Sequence, residues 1–410
     1  MTYWKVCKSV RPLSGIRVLD FTHYIAGPYC CQTLADHGAE VIKIEPINGE
    51  PSRVAEPIYK DISIYFETMN RNKKALSLDL KSKEGHEIIK KLIESADILV
   101  TNYSVGVPEK LGIDYETISS INPKIIMVHI TGFGLTGANK NKRAFDGMIQ
   151  GLSGAAHLTG EPDGPPIKLG LFIADHITGL QGANGALLAL QARERTGKGQ
   201  LVDVAMLDSM VSMLFENLSL VSVLKESPMR IGNRSRNVFA TTFPAVDGYV
   251  YIAALAPKMW SEFCKVIGRP EWGSETSPYY TVNGRLDNYD ELEQRISEWT
   301  SSRTVAEIVD LLENASVPCG KINTIEDVLK DEHLRNREML IDIEINDTKV
   351  TVPGVVVKLS DEQSVLKKQS PKIGEHTEEI LQEIGYSSST IDALHKQGVI
   401  SRIKDTTKTI

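Results

Sequence analysis

The sequence predicts an α/β protein with a large domain built on a mostly parallel sheet and a smaller domain later in the chain. In the N-terminal half, short apolar, β-branched runs alternate with longer helical patterns, as expected of parallel strands joined by crossover helices. From about Ser227 to Val317 this texture gives way to a polar stretch, an apolar run and helices, which reads as a second domain. The expected division is 1–226 for the large domain, 227–323 for the small domain and 324–410 for a C-terminal part.

Taken in order, strands are expected at Ile16–Phe21, Ala39–Glu45, Ala75–Leu80, Asp97–Val100, Ile125–Ile130 and Leu201–Ala205, each a short apolar run. Pro28–His37 is expected to be helical, because Pro28 after Gly27 suits a first-turn position where no amide donor is needed. Lys83–Ser95 follows as a helix with Ile88, Ile89, Leu92 and Ile93 on one face. In the smaller domain the polar Ile231–Asn237 leads to a strand at Tyr249–Ala254 and helices around Met259–Val266 and Leu292–Thr300. Beyond it, Thr324–Met339 reads as helical, Met339–Leu359 as β-rich with Pro353-Gly354 as the turn, and Glu375–Lys396 as helical again.

Composition narrows the function. With 46 Lys and Arg against 53 Asp and Glu, the net charge of -7 gives no global attraction to nucleic acid or an anionic membrane. A polyanionic ligand must therefore be held by a local basic site. The five cysteines, Cys7, Cys30, Cys31, Cys264 and Cys319, form an odd set without a CxxC pair or zinc-like spacing, so no metal site is expected. A reduced, cytoplasmic setting fits them. The N-terminus has no apolar signal-peptide core, and no run approaches the roughly 18 apolar residues of a membrane span.

The passage Lys168–Asp208 is the richest in chemistry. The apolar Leu169–Ala174 ends at Asp175, and a helix then opens with Gly179, Gly182, Ala183, Gly185 and Ala186 among its early residues. Glycine inside a helix costs roughly 1 kcal/mol against alanine, so this density implies close approach of something, a ligand or another chain, to that backbone. Asp175 has two readings: an N-cap of this helix, or a nucleophilic carboxylate that, with an ordinary pKa of about 3.9, needs no general base at neutral pH. The local sequence leaves both open.

The helix continues into Arg193-Glu194-Arg195-Thr196-Gly197-Lys198-Gly199-Gln200 and then Val202–Asp208. Together with Pro12–Pro46, Asn70–Gly85 and Ala315–Arg337, these blocks resemble, in order and over most of the chain, the class III CoA-transferases. That family includes formyl-CoA and carnitine CoA-transferases and is also called the CaiB/BaiF type. The resemblance implies that Asp175 is the catalytic carboxylate. It would be joined first to an acyl group as a mixed anhydride and then to CoA as a thioester, exchanging CoA between an acyl-CoA and a free carboxylic acid. CoA and acyl-CoA are then substrates, and no tightly bound cofactor is expected.

By position in the matching motifs, the resemblance places His23, Ile25 and Ala26 beside CoA, Asn102 and Tyr103 beside its pantetheine or adenine portion, and Lys110 near its phosphates. Arg143 is a further expected CoA contact. Arg71, Lys73 and Lys74 offer a basic cluster that reads equally as a solvated run before a strand. His23 alone reads as a structural histidine, and Asp146 either supports the site through hydrogen bonds or is structural. The resemblance also implies a Rossmann-like large domain completed by the C-terminal part, in an interlocked, ring-shaped homodimer.

Two departures stand out. The glycine run of formyl-CoA transferases is replaced by Asn233–Thr242, and the family's glutamine beside the aspartate by Ile25. Both argue for an acid bulkier or less polar than oxalate, which needs polar partners that a buried isoleucine lacks. The α-methylacyl-CoA racemases share the general likeness, but the position of their histidine holds Phe145, whose ring exchanges no proton. A binding-only protein for CoA or a nucleotide is the remaining alternative. Thr22–Pro28 carries no GxGxxG fingerprint of dinucleotide binding.

Overall fold

The computed structural model describes residues 11–360 and 369–403, so Cys7 lies outside the described residues. The expected alternation is present. In chain order the elements are β1 (Arg17–Phe21), α1 (Ala26–Asp36), β2 (Glu40–Glu45), α2 (Ile64–Met69), β3 (Lys73–Leu78), α3 (Lys83–Ser95), β4 (Ile98–Thr101) and α4 (Val107–Leu111). They continue with β5 (Ile126–Thr131), α5 (Asp146–Leu152), α6 (Ile173–Thr196), β6 (Leu201–Ala205) and α7 (Met206–Ser212).

The strands lie in the order β3-β2-β1-β4-β5-β6, all parallel, and Ile400–Ser401 adds an antiparallel edge on β3. Both faces of the sheet are covered, which is why its central strands read as unbroken apolar runs. Val18, Val100 and Val128 pack with Cys30, Leu34, Ala183 and Ala186 of α1 and α6. Their sequence neighbours Leu19, Leu99 and Met127 point the other way, onto Ile88, Leu92 and Ile93 of α3. Each such buried aliphatic side chain contributes about 1.5–3 kcal/mol. The α3 helix starts where Ser82 accepts a hydrogen bond from the Gly85 N–H, a cap that ordinarily contributes about 1 kcal/mol.

The chain forms two compact units. The second comprises Ala156–Ile167 and Ser219–Asp331, and the first takes the other described residues. The boundaries expected at 226 and 323 thus fall at Leu218 and Asp331, and a short earlier segment joins the second unit. That unit has a three-stranded antiparallel sheet of β7 (Thr241–Ala245), β8 (Gly248–Ile252) and β9 (Cys319–Lys321), with β8 central. Its core is aromatic, with Phe239, Phe243, Trp260 and Phe263 buried around Leu292 and Ile308.

Beyond Glu332 the chain belongs to the first unit. Leu340–Ile345 and Thr348–Pro353 form a hairpin. Its turn is Asn346-Asp347, both left-handed, as a two-residue hairpin loop requires, and this corrects the expected turn at Pro353-Gly354. Two helices, Thr377–Glu383 and Ser388–Lys396, then bury Ile380, Leu381, Ile391 and Leu394 against the face that holds α3. Among the described residues no single helix is long and apolar enough to cross a membrane.

In this strand order the connections leave β1 and β4, adjacent strands, in opposite directions. Open α/β sheets bind ligands in the crevice outside the carboxyl ends of such strands.

Candidate active site

The loops after β1, β4 and β5 meet at that switch point. Residues from each, with Tyr65, Phe172, Asp175 and Met206, line a cavity of about 380 Å³.

Asp175 is the third residue of α6, a helix of 24 residues. The N-cap is Phe172, which supplies no side-chain hydrogen bond. The exposed first-turn amides are satisfied from elsewhere: Asp146 Oδ2 accepts from Ala174 N–H at 2.8 Å and from Asp175 N–H at 3.3 Å. Gln150, one turn along α5, donates to Asp146 Oδ1 and to the Leu171 carbonyl, and accepts from Leu169 N–H. Asp146 therefore caps α6 from another helix, correcting the reading of Asp175 as the cap. The carboxylate of Asp175 is left uncommitted to its own helix.

The glycines of α6 are explained within the chain. A Cβ at Gly179 would sit 2.6 Å from the Ala26 carbonyl oxygen, one at Gly182 would sit 2.9 Å from Ile130 Cδ1, and one at Gly185 would sit 2.6 Å from Val202 Cγ1. The close partners are α1, β5 and β6, rather than the ligand or second chain expected from the sequence. This contact brings the N-terminus of α1 against the first turns of α6, with Ala26 and Asp175 in the same cavity lining and the Ala26 N–H near enough to favour the charged form of the carboxylate.

Burial first, and the neighbouring Asp146 second, push the pKa of Asp175 up to about 7, while the Ala26 N–H acts in the opposite direction. The ordinary carboxyl value expected from sequence is corrected accordingly. The same field reaches Tyr65, whose phenol is raised by burial and by Asp175. His23 sits between Tyr24, in edge contact at 4.9 Å, and Tyr103, stacked at 5.4 Å, and its pKa is lowered mainly by burial. The Asn102 amide clamps the His23 backbone, accepting from its N–H at 3.0 Å and donating to its carbonyl at 2.7 Å.

Of the residues expected from sequence, His23, Ile25, Ala26, Asn102, Tyr103, Arg143, Asp146 and Asp175 are brought together in the cavity lining. Arg71, Lys73, Lys74 and Lys110 are not. Arg71 is buried on Asp36, and Lys73 is fully buried on Asp20 at 2.8 Å. Lys74 bridges Glu40 and Glu379. For Arg71 and Lys73 this corrects the expected basic cluster, since a phosphate would have to displace a carboxylate already desolvated beside them. Lys110 is exposed on α4, outside the lining.

Sequence reasoning missed Tyr24, Tyr65, Lys140, Lys142, Phe172 and Met206, all in the lining. The run Lys140–Arg143 carried a readable signal, three cations in four residues of a polar loop. None of the three has an ion pair among the described residues. Phe145 also lines the cavity and is 66% exposed, so no proton-transfer group stands at that position.

Similarity to known proteins follows the same lines. The sequence pattern of CoA-transferase family III matches residues 13–377. The succinyl-CoA:mesaconate CoA-transferase of Haloarcula hispanica is 37% identical over 92% of this chain and 98% of its own length. The formyl-CoA:oxalate CoA-transferase of a Bradyrhizobium strain is 35% identical over 95% and 97%. The crystal structure of a CaiB/BaiF family protein from Brucella suis superposes with a TM-score of 0.83 at 34% identity, covering 91% of this chain and 99% of that one. The chain belongs to CoA-transferase family III and is a class III CoA-transferase.

Proposed function

We propose that Asp175 is the covalent nucleophile of CoA transfer. The observation that carries this reading is a half-buried carboxylate in the cavity lining that leaves the capping of its own helix to Asp146 and faces the start of α1 at Ala26. The carboxylate attacks the thioester carbonyl of the donor, the C–S bond breaks, and CoA leaves as the thiolate beside an aspartyl-acyl anhydride. The thiolate then attacks the aspartyl carbonyl, releasing the donor acid and leaving an aspartyl-CoA thioester. An acceptor carboxylate reverses the two steps and regenerates Asp175. Thioester free energy is conserved only if water is kept from both intermediates. In this reading the Ala26 N–H, in the same lining and favouring the charged form of this carboxyl group, is the donor that stabilises the oxyanions.

In this reading His23, Ile25, Asn102 and Tyr103 flank the pantetheine arm. Arg143, joined by Lys140 and Lys142, meets phosphate, with Lys110 as an outer contact. Ile25 in the lining supports an acid bulkier or less polar than oxalate. Relatives named for succinyl-CoA, mesaconate and L-malate fit acids of that size. Phe145 argues against racemisation, and a binding-only protein would show no exchange with any acid pair. Incubation with acyl-CoA and then hydroxylamine should leave a hydroxamate on the peptide carrying Asp175, read by mass spectrometry. A hydroxamate on another residue, or none while transfer proceeds, refutes the covalent role.

The proposal extends to a Rossmann-like large domain, a homodimer of the interlocked kind, and a cytoplasmic setting. The strand order 3-2-1-4-5-6 supports the first. The free thiols of Cys30, Cys31, Cys264 and Cys319 are consistent with the last. For the dimer, α6 leaves Leu180, Leu187 and Leu188 exposed by 48%, 44% and 63%, more apolar surface than one helix of a lone subunit ordinarily presents. Light scattering should find dimer and no stable monomer. Leu188→Glu, placing a charge on that face, should weaken association by about 10-fold or more.

A further inference from the structure

Between β1 and α1 the chain makes a short loop, Thr22–Ile25, in which Tyr24 adopts a left-handed φ of 64°. A tyrosine held there is a local strain that surrounding structure must over-determine. The surroundings are explicit. Asp20 Oδ1 accepts from the Thr22 N–H at 3.0 Å and from its hydroxyl. Lys43 Nζ donates to the Thr22 carbonyl at 2.9 Å. Lys73 Nζ donates to Asp20 Oδ2 at 2.8 Å, to Asn70 Oδ1 at 2.8 Å and to the Pro28 carbonyl at 3.0 Å, in the first turn of α1. Asp20, Lys43 and Lys73 are all fully buried, and none lines the cavity.

A buried salt bridge is weak support for stability, because desolvation offsets much of its attraction. Here the geometry offers another role. Asp20 and Lys43 fasten the start of the loop, and Lys73 ties Asp20 to the backbone just beyond Ala26. The segment between them is tied at both ends by buried side chains, and its Ala26 shares the cavity lining with Asp175, whose charged form the Ala26 N–H favours.

We infer that the buried Asp20–Lys73–Lys43 cluster is a positioning device for the Ala26 N–H, with Lys73 as the residue that locks it. This rests on the reading of Asp175 as nucleophile. Asp20 supports the assignment: although burial opposes its charge, Lys73 and Lys43 hold its carboxyl below the ordinary range. The groups facing Asp175 are Asp146 from α5, Tyr65 from α2 and the Ala26 N–H from α1, with Arg143, Lys142 and Lys140 on the same cavity. Position 73 reaches this set through the backbone at Ala26, and it reaches His23 and Tyr103 of the same cavity through the Asp20 charge that Lys73 balances.

The test uses Lys73→Met and the charge-balanced double variant Asp20→Asn with Lys73→Met, which removes the buried ion pair without orphaning a carboxylate. In whichever folds as the wild-type assembly, kcat should fall about 10–100-fold with KM for acyl-CoA little changed, as misplacement of a catalytic donor produces. The acid limb of kcat/KM should move to higher pH, because Asp175 loses a donor that favours its charged form. Hydroxamate formation from acyl-CoA should slow in proportion. A folded variant with unchanged kcat, acid limb and trapping rate overturns the positioning role. If wild type itself gives no hydroxamate at Asp175, it is the nucleophile assignment that fails.

Discussion

Asp175→Asn protein should fold and bind CoA yet lose transfer by about 10⁴-fold or more, since a neutral amide cannot attack a thioester and the other carboxylate named in the lining, Asp146, is committed to the Ala174 and Asp175 N–H groups and to Gln150. Asp175→Ala should behave alike. Loss of activity through misfolding is separable by the sign of the stability change. The wild-type carboxyl has a folded pKa of about 7, raised by burial and Asp146, against about 3.9 in an unfolded chain. Between these values the folded state holds the proton more tightly, so this group's contribution to stability is full at acidic pH and is lost as pH rises toward and through 7. The amide of Asp175→Asn has no proton to lose. The melting temperature of this variant should therefore match or exceed that of wild type above pH 7, and the two should converge in acid. An inactive variant that melts lower at pH 8 would point to structural damage. One that retains transfer would remove Asp175 from the mechanism.

Much of the first unit was legible because a parallel sheet covered on both faces leaves a strong trace. Leu201–Ala205 and Lys83–Ser95 lie where their patterns put them, the latter behind its Ser82 cap. The hairpin after Met339 was legible as β-structure but not at its turn. Pro353-Gly354 drew attention by composition, whereas Asn346-Asp347, two residues that tolerate the left-handed region, carried the geometry.

At the site, the residues expected from the motifs share one cavity lining, whereas the expected basic cluster does not join them. Whether Lys73 faces solvent or Asp20 depends on a partner 53 positions away, and no local pattern encodes that. The same blindness applied to Asp175. Its first-turn position suggested a cap, but the true cap, Asp146, arrives from a helix 29 positions earlier. Because Asp146 is also an anion, it changes the acidity of the residue it positions. Tyr65 had no signal, being one of two adjacent aromatics in an ordinary short helix.

Asp146 therefore has two separable effects, and its variants should pull them apart. Wild-type kcat/KM, which reports the free enzyme, should rise with pH through about 7 as Asp175 ionises. In Asp146→Asn the second cause of the raised pKa is removed, so the acid limb should shift to lower pH. The amide oxygen still accepts from the Ala174 and Asp175 N–H groups, but without the charge, and the plateau should fall about 10-fold through poorer orientation. Asp146→Ala removes the acceptor as well. It leaves two first-turn donors without a partner, at about 1–3 kcal/mol for each that stays buried, and should lower the melting temperature markedly while still moving the acid limb down. If Asp146→Asn left the limb in place, the like-charge contact would not be what tunes Asp175, and burial alone would have to hold its pKa near neutrality.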